Sequence, residues 1–365
     1  MNILFYFPTS QGSVSLETLM EEFQKSGHQV FLLGTEEKGP IHATVEKYGV
    51  ITHCHIIPRN PSRRYYLKQF RFLLKFIRRN NIDLVYSHTQ PANILASIAN
   101  YFSKARIILC RHHSDYIMKG SNRNAKLFDR IINLVGKEFI VPSKKVYDQL
   151  TKVEGVSAKK VRLIRYAYRF ERYPQPDPSE VNRIRESYDA EVLICKVSRF
   201  IPCKRYDKLI KCVNEVISSG IDVRLLILGE GPLKREMVEL SKTLPYPDRI
   251  HFLGFKPNVI DYIEASDILV HFSDSEASNN VVKEAGIRKK PVAVCHDVGD
   301  FDEYIISYKN GIMMNKKQPC PDFLSFLKEF NSDRSRFLKM GENLSKDVIY
   351  NFHVDQIIQE YNEVF

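Results

Sequence analysis

Short apolar runs separated by stretches of helical length recur along almost the whole chain, and this alternation constrains the fold more than any other feature. Asn2–Phe7, Val30–Leu33, Val50–His55, Leu84–Ser87, Ile107–Cys110, Phe139–Val141 and Val161–Ile164 read as strands. Leu16–Lys25 and Pro91–Tyr101 are examples of the helical stretches between them. Strands alternating with helices are the pattern of parallel βαβ units. Both faces of such a sheet are covered, so a run like Ile3-Leu4-Phe5-Tyr6-Phe7 need not alternate. The scheme repeats at Val192–Val197, Val223–Leu228, Ile250–Leu253, Ile268–Phe272 and Val292–Cys295, and the tail from about Asp333 to Phe365 reads as helix without strand. Between the two halves lie Pro174, Pro176 and Pro178, which can continue neither a helix nor a central strand. A chain of 365 residues has room for two domains on either side of that linker. The expected fold class is therefore α/β, with two Rossmann-like, doubly wound parallel-sheet domains facing across a cleft. Ligands bind open α/β sheets at the carboxyl ends of the strands. No GxGxxG follows the first strand, where Gln11-Gly12-Ser13 is a single-glycine turn, and this argues against a dinucleotide dehydrogenase.

Composition narrows the class. An apolar fraction of 44% with 27% charged residues excludes a mainly disordered chain. No run approaches the ~18 uninterrupted apolar residues of a spanning helix. The opening segment has no basic n-region, and its apolar run is short for a signal peptide, so a first buried strand and a cytoplasmic location are expected. The seven cysteines are odd in number and form no CxxC pair, so buried free thiols are expected rather than a disulfide or zinc framework. In His53-Cys54-His55, strand alternation puts Cys54 on the face opposite the two histidines, and no metal is expected there or elsewhere.

Five groups of residues carry candidate chemistry. Ser198–Arg205 forms a strand-to-helix turn before a helix starting near Tyr206, and its Arg199 and Lys204 suit a diphosphate. Leu226–Leu233 ends a strand in a glycine turn: Gly229 either lets backbone approach a ligand or simply makes the turn, and Pro232 suits the first position of a helix. Glu276 and Glu284 stand eight residues apart, with Asn279 or Asn280 a good helix N-cap between them. Glu276 is then expected in the loop before the helix and Glu284 on its second turn, with the first-turn N–H groups of Asn280 and Val281 a seat for phosphate. Cys110-Arg111-His112-His113-Ser114-Asp115 closes a strand of the first domain. Finally, Pro58–Asn81 carries Arg59, Arg63, Arg64, Lys68, Arg71, Lys75, Arg78 and Arg79 with no acidic residue, beside an apolar stripe of Tyr66, Phe70, Leu73, Leu74 and Ile77. Such a basic amphipathic helix suits an anionic membrane surface, or packs on the sheet with its basic face in water.

In their order and spacing these segments resemble the retaining glycosyltransferases of family 4, the group 1 glycosyl transferases. The resemblance is strong over Val192–Gly311: VSRFIPCKRYDKLI matches the R-x4-K segment, LLILGEGPLKREM the G-x-G-P-L segment, and EASNNVVKEAGIRKKPVAV the E-x7-E element. It is looser over the first domain, through CRHHSD and FIVPSKKVYDQL, and returns at the closing NFHVDQIIQEYNEVF. It implies a GT-B fold, with an acceptor-binding domain over 1–172, a nucleotide-sugar-binding domain over 173–347, and a closing helix over 348–365 that crosses back to the first domain. It further implies that Arg199 and Lys204 hold the diphosphate of a UDP- or GDP-linked sugar, that Glu284 binds the ribose, and that Glu276 fixes the transferred sugar. His112, or His113 if the alignment slips by one, would lie near that sugar. Backbone at Gly254–Lys256, including Phe255 and Lys256, would contact the base. No cofactor or metal is implied, and the acceptor would be a glycan or lipid-linked acceptor. The chain departs from the family pattern at Ala277-Ser278, where Gly-Phe is usual, and at Tyr166–Arg169. The competing readings are a nucleotide-sugar epimerase of similar plan and a basic nucleic-acid-binding protein. The second is suggested by a net charge of +11 but supported by no recognition motif.

Overall fold

The computed structural model describes residues 1–58, 63–114 and 123–365. Arg59 and Asp115 fall outside them, as does the start of the basic segment. The chain forms two compact units, one of residues 1–169 and 352–365 and the other of residues 170–351.

In the first unit the strands are β1 (Asn2–Tyr6), β2 (Gln29–Gly34), β3 (Ile51–Cys54), β4 (Leu84–His88), β5 (Arg106–Cys110), β6 (Glu138–Val141) and β7 (Val161–Leu163). They form one sheet in the order β3-β2-β1-β4-β5-β6-β7, and the paired strands are parallel. The order reverses between β1 and β4, which makes the carboxyl ends of those strands the natural ligand edge. Helices cover the sheet, so Ile3, Leu4 and Phe5 are all buried without alternation. The C-terminal segment belongs to this unit: the Tyr168 amide donates to Phe352 O at 2.9 Å and the Val354 amide to Tyr168 O at 2.9 Å. The last helix, Val354–Val364, buries Val354, Ile357 and Tyr361 in the same core, and Phe365 stacks on Phe23 at 4.8 Å.

In the second unit β8 (Val192–Val197), β9 (Val223–Leu228), β10 (Ile250–Gly254), β11 (Ile268–His271), β12 (Val292–Cys295) and β13 (Ile312–Met314) pair in the order β10-β9-β8-β11-β12-β13. β13 was not foreseen. It is only three residues long, Ile312-Met313-Met314, too short to show a period, and pairing with β12 creates it. The sheet order reverses between β8 and β11. In the proline-rich segment, Pro178 opens the helix Pro178–Ser187, with Asp177 capping it by accepting from the Ser179 amide at 2.9 Å.

One expectation about cysteine is overturned. Cys212 and Cys320 form a disulfide, with Cα atoms 5.3 Å apart, whereas Cys54, Cys110, Cys195, Cys203 and Cys295 are free. The pair is 108 residues apart in sequence, and the packing of helix Pro319–Ser332 on helix Tyr206–Ser218 brings it together. Spacing motifs detect only local cysteine pairs.

Candidate active site

The best-formed constellation lies at the reversal point of the second sheet, past the carboxyl ends of β8 and β11. After β8 the chain makes a short turn, Pro202–Lys204, and enters the helix Tyr206–Ser218. This turn is tied to the loop after β11: the Asp274 amide and the Ser273 hydroxyl both donate to Cys203 O, at 2.7 and 3.0 Å. Arg205 takes φ +45°, a left-handed conformation that a non-glycine residue adopts only when its surroundings demand it. Its guanidinium is engaged by Asp207 and Asp274, each at 2.9 Å. Arg199 is exposed, and no described residue pairs with its guanidinium.

Lys204 and Glu276 form an ion pair with both side chains 11% exposed. Glu276 Oε1 also accepts from His271 Nε2 at 2.5 Å and from Asn279 Nδ2 at 3.0 Å. Burial alone raises this carboxyl, but the Lys204 charge and the His271 hydrogen bond overcome that and hold it well below the carboxylate range. Glu276 is thus an ionised, immobilised carboxylate. Asn279 caps the helix Asn280–Ile287, its side chain accepting from the Val282 amide at 3.0 Å. Asn280 and Val281 therefore form its first turn, as expected. Glu284 is half-buried on that helix, and no hydrogen bond from a described side chain reaches its carboxylate. Burial, only partly opposed by Lys283, pushes its carboxyl up to about 7.

Gly229 gains a structural reason, and the expectation for Pro232 changes in detail. Gly229 is required by packing within the protein: at φ +137°, a Cβ there would lie 2.0 Å from Ser198 O, because the loops after β8 and β9 cross in contact. The Gly229 amide is spent on Gly254 O at 2.8 Å. Pro232 precedes its helix, which begins at Lys234 after the N-cap Leu233. Phe255 is 74% exposed on the loop after β10, and Lys256 lies over the Tyr262 ring at 6.0 Å. Ala277 has no positive φ, so this loop does not call for the glycine usual in the family. Ser278 donates to the buried Asp300 at 2.6 Å and accepts from Lys283 at 2.9 Å. Lys283 and Asp300 pair at 2.7 Å with both side chains fully buried.

The histidines of the first unit separate cleanly. His112 sits past β5, with Nε2 2.9 Å from His88 Nδ1 and Nδ1 2.5 Å from the Tyr166 hydroxyl. Burial, then the neighbouring His113, lowers it to about 4, so it is neutral near pH 7. His113 instead pairs with Asp129 at 2.9 Å. Arg111 joins that buried cluster through Asp129 and Glu154, both at 2.9 Å. Those groups hold helix Arg123–Val135 to the sheet edge. Among the described residues, His88, Cys110 and His112 are the group whose donor atoms could surround a metal ion, all within 4.8 Å. The two rings are hydrogen-bonded to each other, and burial pushes the Cys110 thiol up to about 12. In the His53–His55 stretch, both histidines stack on Phe72 and Cys54 turns to His42 on the other face.

Sequence reasoning missed Lys196 and His271, both fully buried within β8 and β11. A lysine in Val-Leu-Ile-Cys-Lys-Val and a histidine in Ile-Leu-Val-His were the available signal: a polar group in a central strand is costly unless paired.

Comparisons with known proteins bear on the family and the fold. The model of the glycosyl transferases group 1 matches residues 179–344, and that of glycosyltransferase family 4 matches residues 12–169, so the two account for most of the chain. N-acetyl-alpha-D-glucosaminyl L-malate synthase of Bacillus anthracis is 23% identical over 98% of this chain and 94% of its own. Alpha-monoglucosyldiacylglycerol synthase of Acholeplasma laidlawii is 25% identical over 89% of this chain and 86% of its own. Among solved structures, Anabaena HepE in complex with UDP and glucose superposes with a TM-score of 0.82 at 18% identity, covering 99% of this chain and 98% of that one. Sucrose-phosphate synthase from Thermosynechococcus elongatus gives a TM-score of 0.82 at 16% identity, covering 100% and 98%.

Proposed function

The chain belongs to the group 1 glycosyltransferases of family 4, transferases of GT-B fold, and on that premise we propose that it moves a hexose-type sugar from a nucleoside diphosphate to a glycan or lipid-linked acceptor with retention of anomeric configuration. The observation that carries this reading is the ionised Glu276, held by Lys204, His271 and Asn279 at the head of the helix that bears Glu284. Arg199 and Lys204, with the amino end of that helix, neutralise the departing diphosphate. That charge set stands in for a metal ion. Glu284 accepts from the ribose hydroxyls, and Glu276 accepts from a hydroxyl of the sugar. UDP is the first nucleotide to test, since the similar HepE structure holds it, and GDP is the second.

Calorimetry tests the donor site. Arg199→Ala is expected to weaken UDP or GDP binding by roughly tenfold to a hundredfold, as loss of a charge-assisted hydrogen bond costs about 1.5–3 kcal/mol. Equal affinity of wild type and variant would remove Arg199 from the site.

The helix Arg63–Arg79 supports a peripheral membrane role. Lys68, Arg71, Lys75 and Arg78 are exposed, while Leu73, Phe76 and Ile77 are buried in the unit's own core. The basic residues contribute electrostatically, at about 1 kcal/mol each near an anionic leaflet. Among the described residues, no helix is long and apolar enough to cross a membrane. The name of the Acholeplasma relative, a synthase of a glucosylated diacylglycerol, favours a lipid acceptor. Changing the four basic residues to Gln is expected to abolish co-sedimentation with anionic vesicles and leave nucleotide affinity unchanged. Wild-type protein that sediments equally with neutral vesicles, or with neither kind, would contradict the membrane role.

A further inference from the structure

Lys196 and His271 are fully buried on neighbouring central strands, β8 and β11. Lys196 Nζ lies 3.0 Å from Phe272 O and 3.4 Å from His271 Nδ1, and over the Tyr206 ring at 5.5 Å. His271 Nε2 lies 2.5 Å from Glu276 Oε1. The positions of the protons follow from donor and acceptor chemistry. An ionised carboxylate only accepts, so His271 Nε2 carries a proton. Burial, then the Lys196 charge, lowers His271 to about 3, so the ring is neutral and Nδ1 holds a lone pair. Lys196 must then be the donor to Nδ1.

We propose that Lys196 and His271 are positioning residues for Glu276. Lys196 donates to His271 Nδ1, which fixes the ring as the Nε2–H tautomer, and Nε2–H donates to Glu276 Oε1. Lys204 and Asn279 donate to that same oxygen. All three hydrogen bonds found on Glu276 thus converge on Oε1, and Oε2 takes none of them. One oxygen anchors the carboxylate, and the other is left to accept from the donor sugar. This last step rests on the assignment of Glu276 to the sugar; the tautomer and the relay do not.

Two measurements on the full-length protein test the proposal. Long-range ¹H–¹⁵N spectra of the wild type are expected to show His271 as the Nε2–H tautomer, and Lys196→Met to shift it towards a mixture. Transfer assays are expected to show kcat down roughly tenfold in Lys196→Met and His271→Leu, the equivalent of one lost hydrogen bond, with nucleoside diphosphate affinity within about twofold of wild type. His271→Gln places an amide N–H near the Nε2 position and is expected to recover most of kcat, a rescue that mere filling of space would not produce. An Nδ1–H tautomer in the wild type, or wild-type kcat in His271→Leu, would overturn the relay. A wild type that binds neither UDP nor GDP would overturn the transferase donor site instead, and the tautomer measurement would still decide the relay.

Discussion

Glu276→Gln is expected to lower kcat by roughly a hundredfold, the scale of losing one preorganised electrostatic group in an active site. The substitution preserves shape. The amide oxygen can take the place of Oε1 beneath Lys204, His271 and Asn279, and the NH2 then stands where Oε2 was. A group that accepts a sugar hydroxyl becomes one that cannot. Lys204 meanwhile loses its counter-charge, since it pairs with Glu276. Nucleoside diphosphate affinity is therefore expected to hold or rise while turnover falls. Single-turnover assays with parallel calorimetry separate the two effects. A variant that loses affinity and keeps kcat would place Glu276 on the nucleotide rather than the sugar.

Glu284→Gln is expected to act in the opposite sense, and to stabilise the free protein at alkaline pH. The folded carboxyl titrates at about 7 because it is buried without a hydrogen-bonding partner, whereas its ordinary value is 4.5. Between those values the folded state binds a proton that the unfolded state has released. Stability from this group is full below pH 4.5 and declines as pH rises towards 7. Above 7 the folded protein carries a penalty of up to roughly 3 kcal/mol. Glutamine does not titrate. The variant should thus unfold at higher denaturant than wild type at pH 8, with the gap closing near pH 5. In the same variant UDP or GDP should bind at least tenfold more weakly, because a buried carboxylate waiting for hydroxyl donors is lost. Identical pH–stability curves for the two proteins would show that Glu284 is solvated rather than strained.

Much of this protein is legible along the chain, because the responsible forces are local. Apolar runs between helical stretches define two parallel α/β units, since strand burial and helix period are written in neighbouring residues. The prolines of Pro174–Pro178 interrupt regular structure, although Pro178 itself opens a helix once Asp177 caps it. Asn279 and Asn280 announce a helix because a cap acts within three residues, and the structure makes Asn279 the cap. Glu276 and Glu284 are set at their places by that same local geometry. What lies beyond the reach of sequence is every contact made between distant segments. Cys212 meets Cys320 only because two helices pack together. β13 is three residues that become a strand only through β12. Gly229 reads along the chain either as a ligand-facing glycine or as a plain turn, and only the fold shows that the Ser198 carbonyl of another loop excludes a side chain there. His112 and His113 are adjacent in sequence, but one turns to His88 and Tyr166 and the other to Asp129. Lys196 and His271 pass for strand interior until two strands 75 residues apart become neighbours and give both a partner. Hydrogen bonds and ion pairs within a buried sheet depend on distances of about 3 Å, and only the packed chain sets those.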